Sequence, residues 1–144
     1  MYWLPVFSRC NLIFDTFNGI EVADWDSTIP ADGFLVKNNI VMNSKGYAIQ
    51  EGGTTGANIY KNNVLYQNLY NVLDIYTSRG SKQTGTRISD PGLVNFQIDG
   101  SGDYHLGATS VCINTGTTSG APSNDFDGYL RTDGFPDIGP YEAH

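Results

Sequence analysis

The sequence predicts an all-β single domain: a parallel β-helix of about three coils followed by an irregular C-terminal cap. Three observations support this prediction. A segment of about two dozen residues recurs, glycine and asparagine are spread along the chain, and no segment keeps the apolar spacing of a helix over three turns. A short unit with three strands cannot bury its inner face alone, so consecutive units are expected to stack.

The repeat is clearest around two Lys-Asn-Asn triplets. Residues 35–43 (LVKNNIVMN) match residues 59–67 (IYKNNVLYQ) at an offset of 24, and Ile49 falls on Leu73 at the same offset. Each copy is interpreted as three short strands joined at an Asn-Asn corner and a polar corner. In the second full copy the predicted strands are residues 57–61, 63–66 and 71–76.

A looser copy lies upstream, where residues 11–15 match residues 39–43. Its spacing is longer, and we attribute the difference to a polar insertion at residues 23–33. Asn39 and Asn63 are expected to lie one above the other at equivalent corners, with their side-chain amides hydrogen-bonded along the stack. Their predicted role is therefore structural.

Residues 1–88 are assigned to the coils and residues 89–144 to the cap. Asp90-Pro91 interrupts the repeat, and we expect the residues that follow to close the end of the solenoid, because an open last coil exposes apolar core and unpaired strand edges. Within the cap, residues 93–98 and 103–106 are predicted strands. At the other end, an N-terminal lid or self-association of two chains would cover the first coil. The predicted lid consists of Tyr2, Trp3, Leu4, Val6 and Phe7.

The charge balance limits the classes of partner. Eight basic against fifteen acidic side chains give a formal net charge of −7. Such a field repels phosphate backbones and anionic lipid, so neither a nucleic acid nor a membrane surface is expected as a partner. An anionic polysaccharide would need a bridging cation such as calcium, whereas a neutral glycan would not. The two cysteines, Cys10 and Cys112, are interpreted as buried thiols or as one disulfide.

Five segments carry a family resemblance: residues 90–95 (DPGLVN), 102–106 (GDYHL), 110–116 (SVCINTG), 125–131 (DFDGYLR) and 137–142 (DIGPYE). In this order they resemble the C-terminal series of pectate-lyase-like right-handed parallel β-helix proteins. The resemblance implies a right-handed coil and an extracellular or cell-surface protein, although this chain shows no signal peptide. It also implies association with polysaccharides. The basic proton abstractor and calcium-binding acids of the lyases have no matching set of residues here.

In the enzymes of that family the substrate groove follows the strand after the polar corner. The corresponding strands here are residues 19–22, 47–51 and 71–76. If Ile20, Ile49 and Leu73 point inward, the residues that follow them point outward and form one row up the stack. That row consists of Glu21, Gln50 and Asp74.

Two interpretations of the row remain open. Glu21 and Asp74 would have backbones about 9.6 Å apart at about 4.8 Å per coil, near the upper limit of carboxylate separation in inverting glycosidases. They are therefore candidates for a catalytic acid/base pair. Alternatively, they belong to a solvated polar row without chemistry.

Further candidates for substrate binding flank this row. Trp25 between Asp24 and Asp26 forms a plausible sugar platform, because a ring stacks on a sugar while carboxylates accept hydrogen bonds from hydroxyls. The alternative places Trp25 under its own loop. Tyr76 ends the third strand of the groove, and Arg79 in the following corner could neutralise an acidic substituent or simply keep an edge soluble.

The predicted cap contains other ionisable residues. His105 is interpreted as structural, with a role as a base as the alternative. Asp125, Asp127 and Asp137 could ligate calcium, but their spacing lacks the regular alternation of a calcium loop, so a buried network with Arg131 is preferred. No cofactor or metal is predicted.

Three functions are compatible with the sequence. The first is a module that binds a glycan along the outward row. The second is a polysaccharide lyase or glycoside hydrolase that uses Glu21 and Asp74. The third is a structural module that assembles through its open coil and needs no ligand.

Overall fold

The computed structural model describes residues 7–24, 31–53, 55–132 and 134–144, without the side chains of Phe7 and Asp24. The predicted lid residues Tyr2, Trp3, Leu4 and Val6 and the predicted binding residues Trp25 and Asp26 lie outside these ranges. The described residues form one 3-10 helix at Thr77–Arg79 and thirteen strands. These are β1 (Phe7–Arg9), β2 (Leu12–Phe14), β3 (Ile20–Asp24), β4 (Leu35–Lys37), β5 (Ile40–Met42), β6 (Tyr47–Gly53), β7 (Ile59–Lys61), β8 (Val64–Tyr66), β9 (Tyr70–Asp74), β10 (Lys82–Thr84), β11 (Arg87–Ile88), β12 (Leu93–Asn95) and β13 (Asp103–Leu106).

Eleven of these strands form three parallel sheets. The first sheet has the order β1-β4-β7-β10, the second contains β2-β5-β8-β11, and the third has the order β3-β6-β9. Each turn of the chain contributes one strand to each sheet, which confirms the predicted parallel β-helix of about three turns. β10 and β11 add part of another turn. No helix among the described residues is long and apolar enough to cross a membrane.

The register between turns agrees with the sequence repeat. Ile49 pairs with Ile20 on one side and with Leu73 on the other, as predicted. Ile20 and Ile49 are paired in the third sheet, and Leu35 and Ile59 are paired in the first sheet. The chain from the third sheet to the first is 15 residues long in the first turn (35 − 20) but only 10 in the second (59 − 49). The additional residues of the first turn therefore lie between β3 and β4, where the polar insertion was predicted.

A left-handed backbone conformation turns the chain from the first sheet into the second. The residue after β4 is Asn38 with φ 55°, and the residue after β7 is Asn62 with φ 52°. Asparagine adopts this region more easily than most side chains, and glycine adopts it freely. The residue after β10 is accordingly Gly85, whereas Cys10 occupies the same corner after β1. The first asparagine of each Lys-Asn-Asn triplet thus bends the chain.

The second asparagine of each triplet belongs to a ladder. Asn11, Asn39 and Asn63 follow the bend in consecutive turns, and their amides are hydrogen-bonded in series at 2.9 and 3.1 Å. Asn39 and Asn63 are fully buried. A buried amide needs such partners, because an unsatisfied polar group inside a protein costs about 1–3 kcal/mol. The predicted structural role is confirmed.

The interior of the coils holds the first hydrophobic cluster. Side chains alternate along the strands, so Val36, Val41 and Ile49 point into the solenoid. They pack there against Tyr60 and Leu65 from the next turn. All five side chains are almost completely buried. The stacked turns thus form the continuous core that no single turn could provide.

The C-terminal region, residues 89–144, packs against the outer face of the second sheet. Outward side chains of β5 and β8 form a second hydrophobic cluster with residues of this region: Ile40, Met42, Val64, Leu106, Cys112 and Ile138. Polar contacts run along the same side, since Asn62 donates to the Thr115 carbonyl at 2.7 Å and Asn38 to the Thr117 carbonyl at 2.9 Å. We expected this region to close the end of the solenoid. That prediction is wrong, because the region packs against the side of the coils.

One of the two predicted cap strands is shorter than expected. β12 begins at the predicted residue but ends at Asn95, whereas β13 has the predicted bounds, and the two pair antiparallel.

Cys10 and Cys112 are both buried free thiols, so the disulfide alternative is excluded. Burial raises the pKa of the Cys112 thiol to about 12.

Candidate functional site

The outward row on the third sheet exists. Gln50 of β6 pairs with Glu21 of β3 and with Asp74 of β9, in the register that the repeat predicted. Glu21 and Asp74 are exposed and Gln50 is half-buried, so solvent reaches all three members of the row. We call the outer surface of β3, β6 and β9 the third-sheet face.

Hydrogen bonds connect the members of the row. Asn18 donates from Nδ2 to Glu21 Oε2 at 3.0 Å and to Gln50 Oε1 at 3.2 Å. Gln50 in turn donates from Nε2 to Asp74 Oδ2 at 3.5 Å, which is a long contact. In this series of bonds the two amides lie between the two carboxylates, and this arrangement presents both donors and acceptors to a ligand. Asn18 was not identified from the sequence.

An aromatic pair lies beside the row on the same face. The rings of Tyr47 and Tyr70 are 4.8 Å apart at an interplanar angle of 34°, and Tyr70 is 49% exposed. The side chain of Asn18 links the pair to the row, because its Oδ1 accepts from the Tyr47 backbone N–H at 3.0 Å.

The sequence repeat did not reveal this pair, and the reason is a register shift. Tyr47 pairs with Tyr70, which is 23 residues later, whereas Ile49 pairs with Leu73, which is 24 later. Two residues of β9 therefore lie opposite one residue of β6, as in a β-bulge. Comparison at a constant offset of 24 aligns Tyr47 with Asn71 and misses the aromatic stack.

Two predicted binding residues contact each other beyond the end of β9. The Arg79 guanidinium lies 4.4 Å from the centre of the Tyr76 ring. Its Nη1 also donates to the Gly53 carbonyl at 2.8 Å. Such contacts fix the position of a long side chain, so the cation is held in place next to the third-sheet face.

A buried carboxylate lies under this face. Glu51 follows Gln50 and points inward, with 1% of its surface exposed. Its oxygens accept hydrogen bonds from Asn58 Nδ2, Tyr60 OH, Ser81 Oγ and the Tyr76 backbone N–H. Burial alone would raise the pKa of Glu51, but these hydrogen bonds hold it below the usual carboxyl value.

Glu51 therefore joins β6 to the residues that follow β9 and fixes the backbone at Tyr76. It was not among the residues singled out from the sequence. The signal that could have identified it is its position, because the residue after an outward Gln50 must face the core. An acidic residue at a core position needs dedicated partners.

Three predicted binding residues are not placed on the face. Trp25 and Asp26 lie outside the described residues, as does the side chain of Asp24. The proposed sugar platform therefore stays a prediction. Among the residues that the structure describes, the face consists of the row, the tyrosine pair and the Tyr76–Arg79 contact.

His105 belongs to a separate cluster in the C-terminal region. Its Nδ1 lies 2.6 Å from Asp103 Oδ1 and its Nε2 lies 2.8 Å from Asp127 Oδ2. Ionised carboxylates only accept hydrogen bonds, so both bonds form together when both ring nitrogens carry a proton. The hydrogen bonds to Asp127 and Asp103 raise the pKa of His105. Because both nitrogens are engaged, the geometry favours the structural interpretation over a role as a base.

The other acids of this region bind backbone groups. Asp125 accepts from the Tyr129 and Glu142 backbone N–H groups, and Asp137 accepts from Asn114 and Ala143. The Arg131 guanidinium forms a buried ion pair with Glu142, a residue that was not part of the predicted network. In the part of the chain that the structure describes, no three His, Cys, Asp or Glu side chains are grouped to hold a metal ion.

The third-sheet face combines aromatic, amide, carboxylate and guanidinium groups on one regular surface. No family model, curated protein or solved structure matches the chain. The geometry of the face is therefore the basis on which a function can be inferred.

Proposed function

We propose that this protein binds a glycan along the third-sheet face. The observation that carries the proposal is the stacked pair Tyr47–Tyr70, in which Tyr70 is exposed and Tyr47 half-buried, next to the row Glu21–Gln50–Asp74. An aromatic ring stacks on the apolar face of a sugar while neighbouring polar groups bond to its hydroxyls. A glycan that lies across the strands would meet one member of the row on each turn.

Charge favours an uncharged glycan on this face. The row contains two carboxylates, and the whole protein has a net charge of −7. A ligand with hydroxyl groups can donate to the carboxylates and accept from the second Nε2 hydrogen of Gln50, whereas both Nδ2 hydrogens of Asn18 are used within the row. The Arg79 guanidinium would accommodate an occasional acidic substituent at the end of the face.

The resemblance to pectate-lyase-like proteins belongs to the same proposal. It is supported by the ordered C-terminal motifs and by the coil architecture. In that family, solenoids of this kind are associated with polysaccharides, and an extracellular or cell-surface location is expected from it. Coordinated calcium is not required for the binding proposed here.

Titration calorimetry with neutral oligosaccharides, chosen from a glycan array, tests the proposal. Tyr70→Ala is expected to weaken binding about tenfold, because an aromatic contact contributes about 0.5–1.5 kcal/mol beyond its buried area. Tyr129→Ala is the matched control, since Tyr129 is 55% exposed and lies in the C-terminal region. Equal losses in the two variants, or no glycan bound by the wild-type protein, would overturn the proposal.

Assays of glycan cleavage and of oligomeric state separate the alternatives. Release of reducing or unsaturated ends, abolished by Glu21→Gln, would assign the row to a polysaccharide-cleaving enzyme. In that case the pair Glu21 and Asp74, which lies two turns apart across Gln50, would act as acid and base. A concentration-dependent oligomer without any sugar binding would instead indicate a structural module.

A further inference from the structure

Three basic residues stack in register on the first sheet. Arg9 of β1 pairs with Lys37 of β4, and Lys37 pairs with Lys61 of β7. Val36 and Tyr60, which precede the two lysines, point into the core, so the lysines point outward. With about 4.8 Å between strands, the three side chains form a straight row about 10 Å long, which we call the basic ladder.

The basic ladder is electrostatically unfavourable by itself. Like charges directly opposite each other on neighbouring strands destabilise a sheet. Burial, together with the charges of Lys61 and Arg9, lowers the pKa of Lys37. Within the described ranges, no carboxylate lies at ion-pair distance from Lys37 or Lys61; the ion pairs found there involve Lys45, His105 and Arg131.

The C-terminal region forms one side of this row. The Lys37 ammonium lies 3.3 Å from the Ser119 carbonyl and 3.5 Å from the Ser119 hydroxyl. The neighbouring Gly120 lies beside the Arg9 guanidinium, because a Cβ at Gly120 would be 3.5 Å from Arg9 Nη1. The ladder is therefore bordered on this side by a segment with small side chains. Arg9 is exposed, and Lys37 and Lys61 are half-buried.

We propose that the basic ladder binds a linear glycan that carries sulfate esters. Lysine is a compact point charge with three donors, which suits a tetrahedral oxyanion better than a planar carboxylate, for which arginine provides the matching fork. A sugar unit in an extended chain advances by about one inter-strand spacing, so successive sulfates would meet successive turns. Duplex nucleic acid fits less well, because its charges follow two helical strands around an axis and not one straight row. The net charge of −7 repels a sulfated glycan as well, but the basic ladder offers it three local positive charges in place of a bridging cation.

This inference goes beyond the proposed function, because the ladder lies on a different sheet from the third-sheet face. Its test uses dextran sulfate as the ligand and unsulfated dextran as the matched control ligand. The wild-type protein is expected to bind the sulfated polymer with an affinity that falls as salt rises. In the variant with Lys37→Gln and Lys61→Gln, the slope of log K against log salt is expected to decrease by about two.

Lys82→Gln is the control variant. Lys82 is an exposed basic residue of the same sheet, but its partner in β7 is Ile59 and not Lys61. An unchanged slope in the double variant, or an equal decrease in Lys82→Gln, would overturn the proposal. Equal binding of polygalacturonate or single-stranded DNA would overturn the assignment to sulfate, because any polyanion would then suffice.

Two further measurements keep the outcome interpretable. Thermal unfolding of the double variant is expected at the wild-type temperature or above it, since the substitutions remove like-charge repulsion, so a loss of binding cannot be ascribed to misfolding. Tyr70→Ala is expected to bind dextran sulfate as the wild type does. The experiments can therefore contradict the proposal for the basic ladder without contradicting the proposal for the third-sheet face, and the reverse.

Discussion

Asn39 donates from Nδ2 to Asn63 Oδ1 at 3.1 Å, and this hydrogen bond joins two turns whose residues are 24 positions apart. Asn63 also accepts from the Asn39 backbone N–H at 3.1 Å and donates to the Val36 carbonyl at 3.0 Å. One side chain therefore satisfies three buried groups of the preceding turn. The position of the Asn63 side chain is therefore fixed by the preceding turn.

Asn63→Ala is expected to lower the free energy of unfolding by about 2–4 kcal/mol. The substitution leaves the Asn39 amide, the Asn39 N–H and the Val36 carbonyl without these partners, and each unsatisfied buried group costs about 1–3 kcal/mol, partly recovered by relaxation. Urea denaturation followed by circular dichroism measures the change.

Asn43→Gly is the matched control. Asn43 has φ 54° and bends the chain after β5, and its backbone N–H bonds to the Tyr66 carbonyl. Glycine adopts this conformation without strain, so the change in unfolding free energy is expected to stay within about 1 kcal/mol. If both asparagine variants lost the same stability, the distinction between ladder and bend residues would be wrong.

Glu51→Gln is expected to destabilise the protein by about 1–3 kcal/mol. The amide nitrogen of glutamine would face a donor wherever it is placed, because Asn58, Tyr60 and Ser81 donate to Oε1 and the Tyr76 N–H donates to Oε2. The exposed Glu21→Gln is the control, for which a change within about 0.5 kcal/mol is expected.

The same carboxylate predicts a pH dependence. The pKa of Glu51 is lower in the folded protein than its ordinary value, so the folded state binds its proton less readily. Its contribution to stability is complete above the ordinary carboxyl pKa and disappears as the pH falls through the lowered pKa. Denaturation curves between neutral and acidic pH should therefore show a smaller acid dependence for Glu51→Gln than for the wild type; parallel losses would contradict this.

His105 is expected to titrate above the ordinary histidine value. Its hydrogen bonds to Asp127 and Asp103 raise its pKa in the folded state. The stabilisation they provide is complete below the unfolded pKa of about 6.5 and is lost as the pH rises through the raised value. NMR titration of the imidazole resonances measures this pKa.

Asp127→Asn serves as the comparison for His105. The variant removes the charge that faces Nε2 at 2.8 Å but retains a side chain of the same shape. The pKa of His105 should therefore move back toward the ordinary value. A wild-type His105 that titrates at or below that value, or a variant that titrates as the wild type does, would show that the bridge is absent in solution.

The sequence alone determined the stacking of the coils. The Lys-Asn-Asn triplets and the Ile49–Leu73 correspondence recur at one offset, and in-register parallel turns bring residues at that offset together. The outward position of Glu21, Gln50 and Asp74 followed from alternation along the strands. A repeated local pattern suffices for these features because each turn interacts mainly with the turns above and below it.

Only the tertiary structure decided what the repeat does not encode. The tyrosine pair depends on the register shift in β9, the partners of Glu51 come from three separate segments, and the C-terminal region covers the second sheet instead of the end of the solenoid. Residues 89–144 do not repeat, so their position depends on contacts between residues distant in the chain. The strands of the second sheet are apolar on both faces, with Ile40, Met42 and Val64 on the outer face. Only the folded chain reveals which segment buries this outer face.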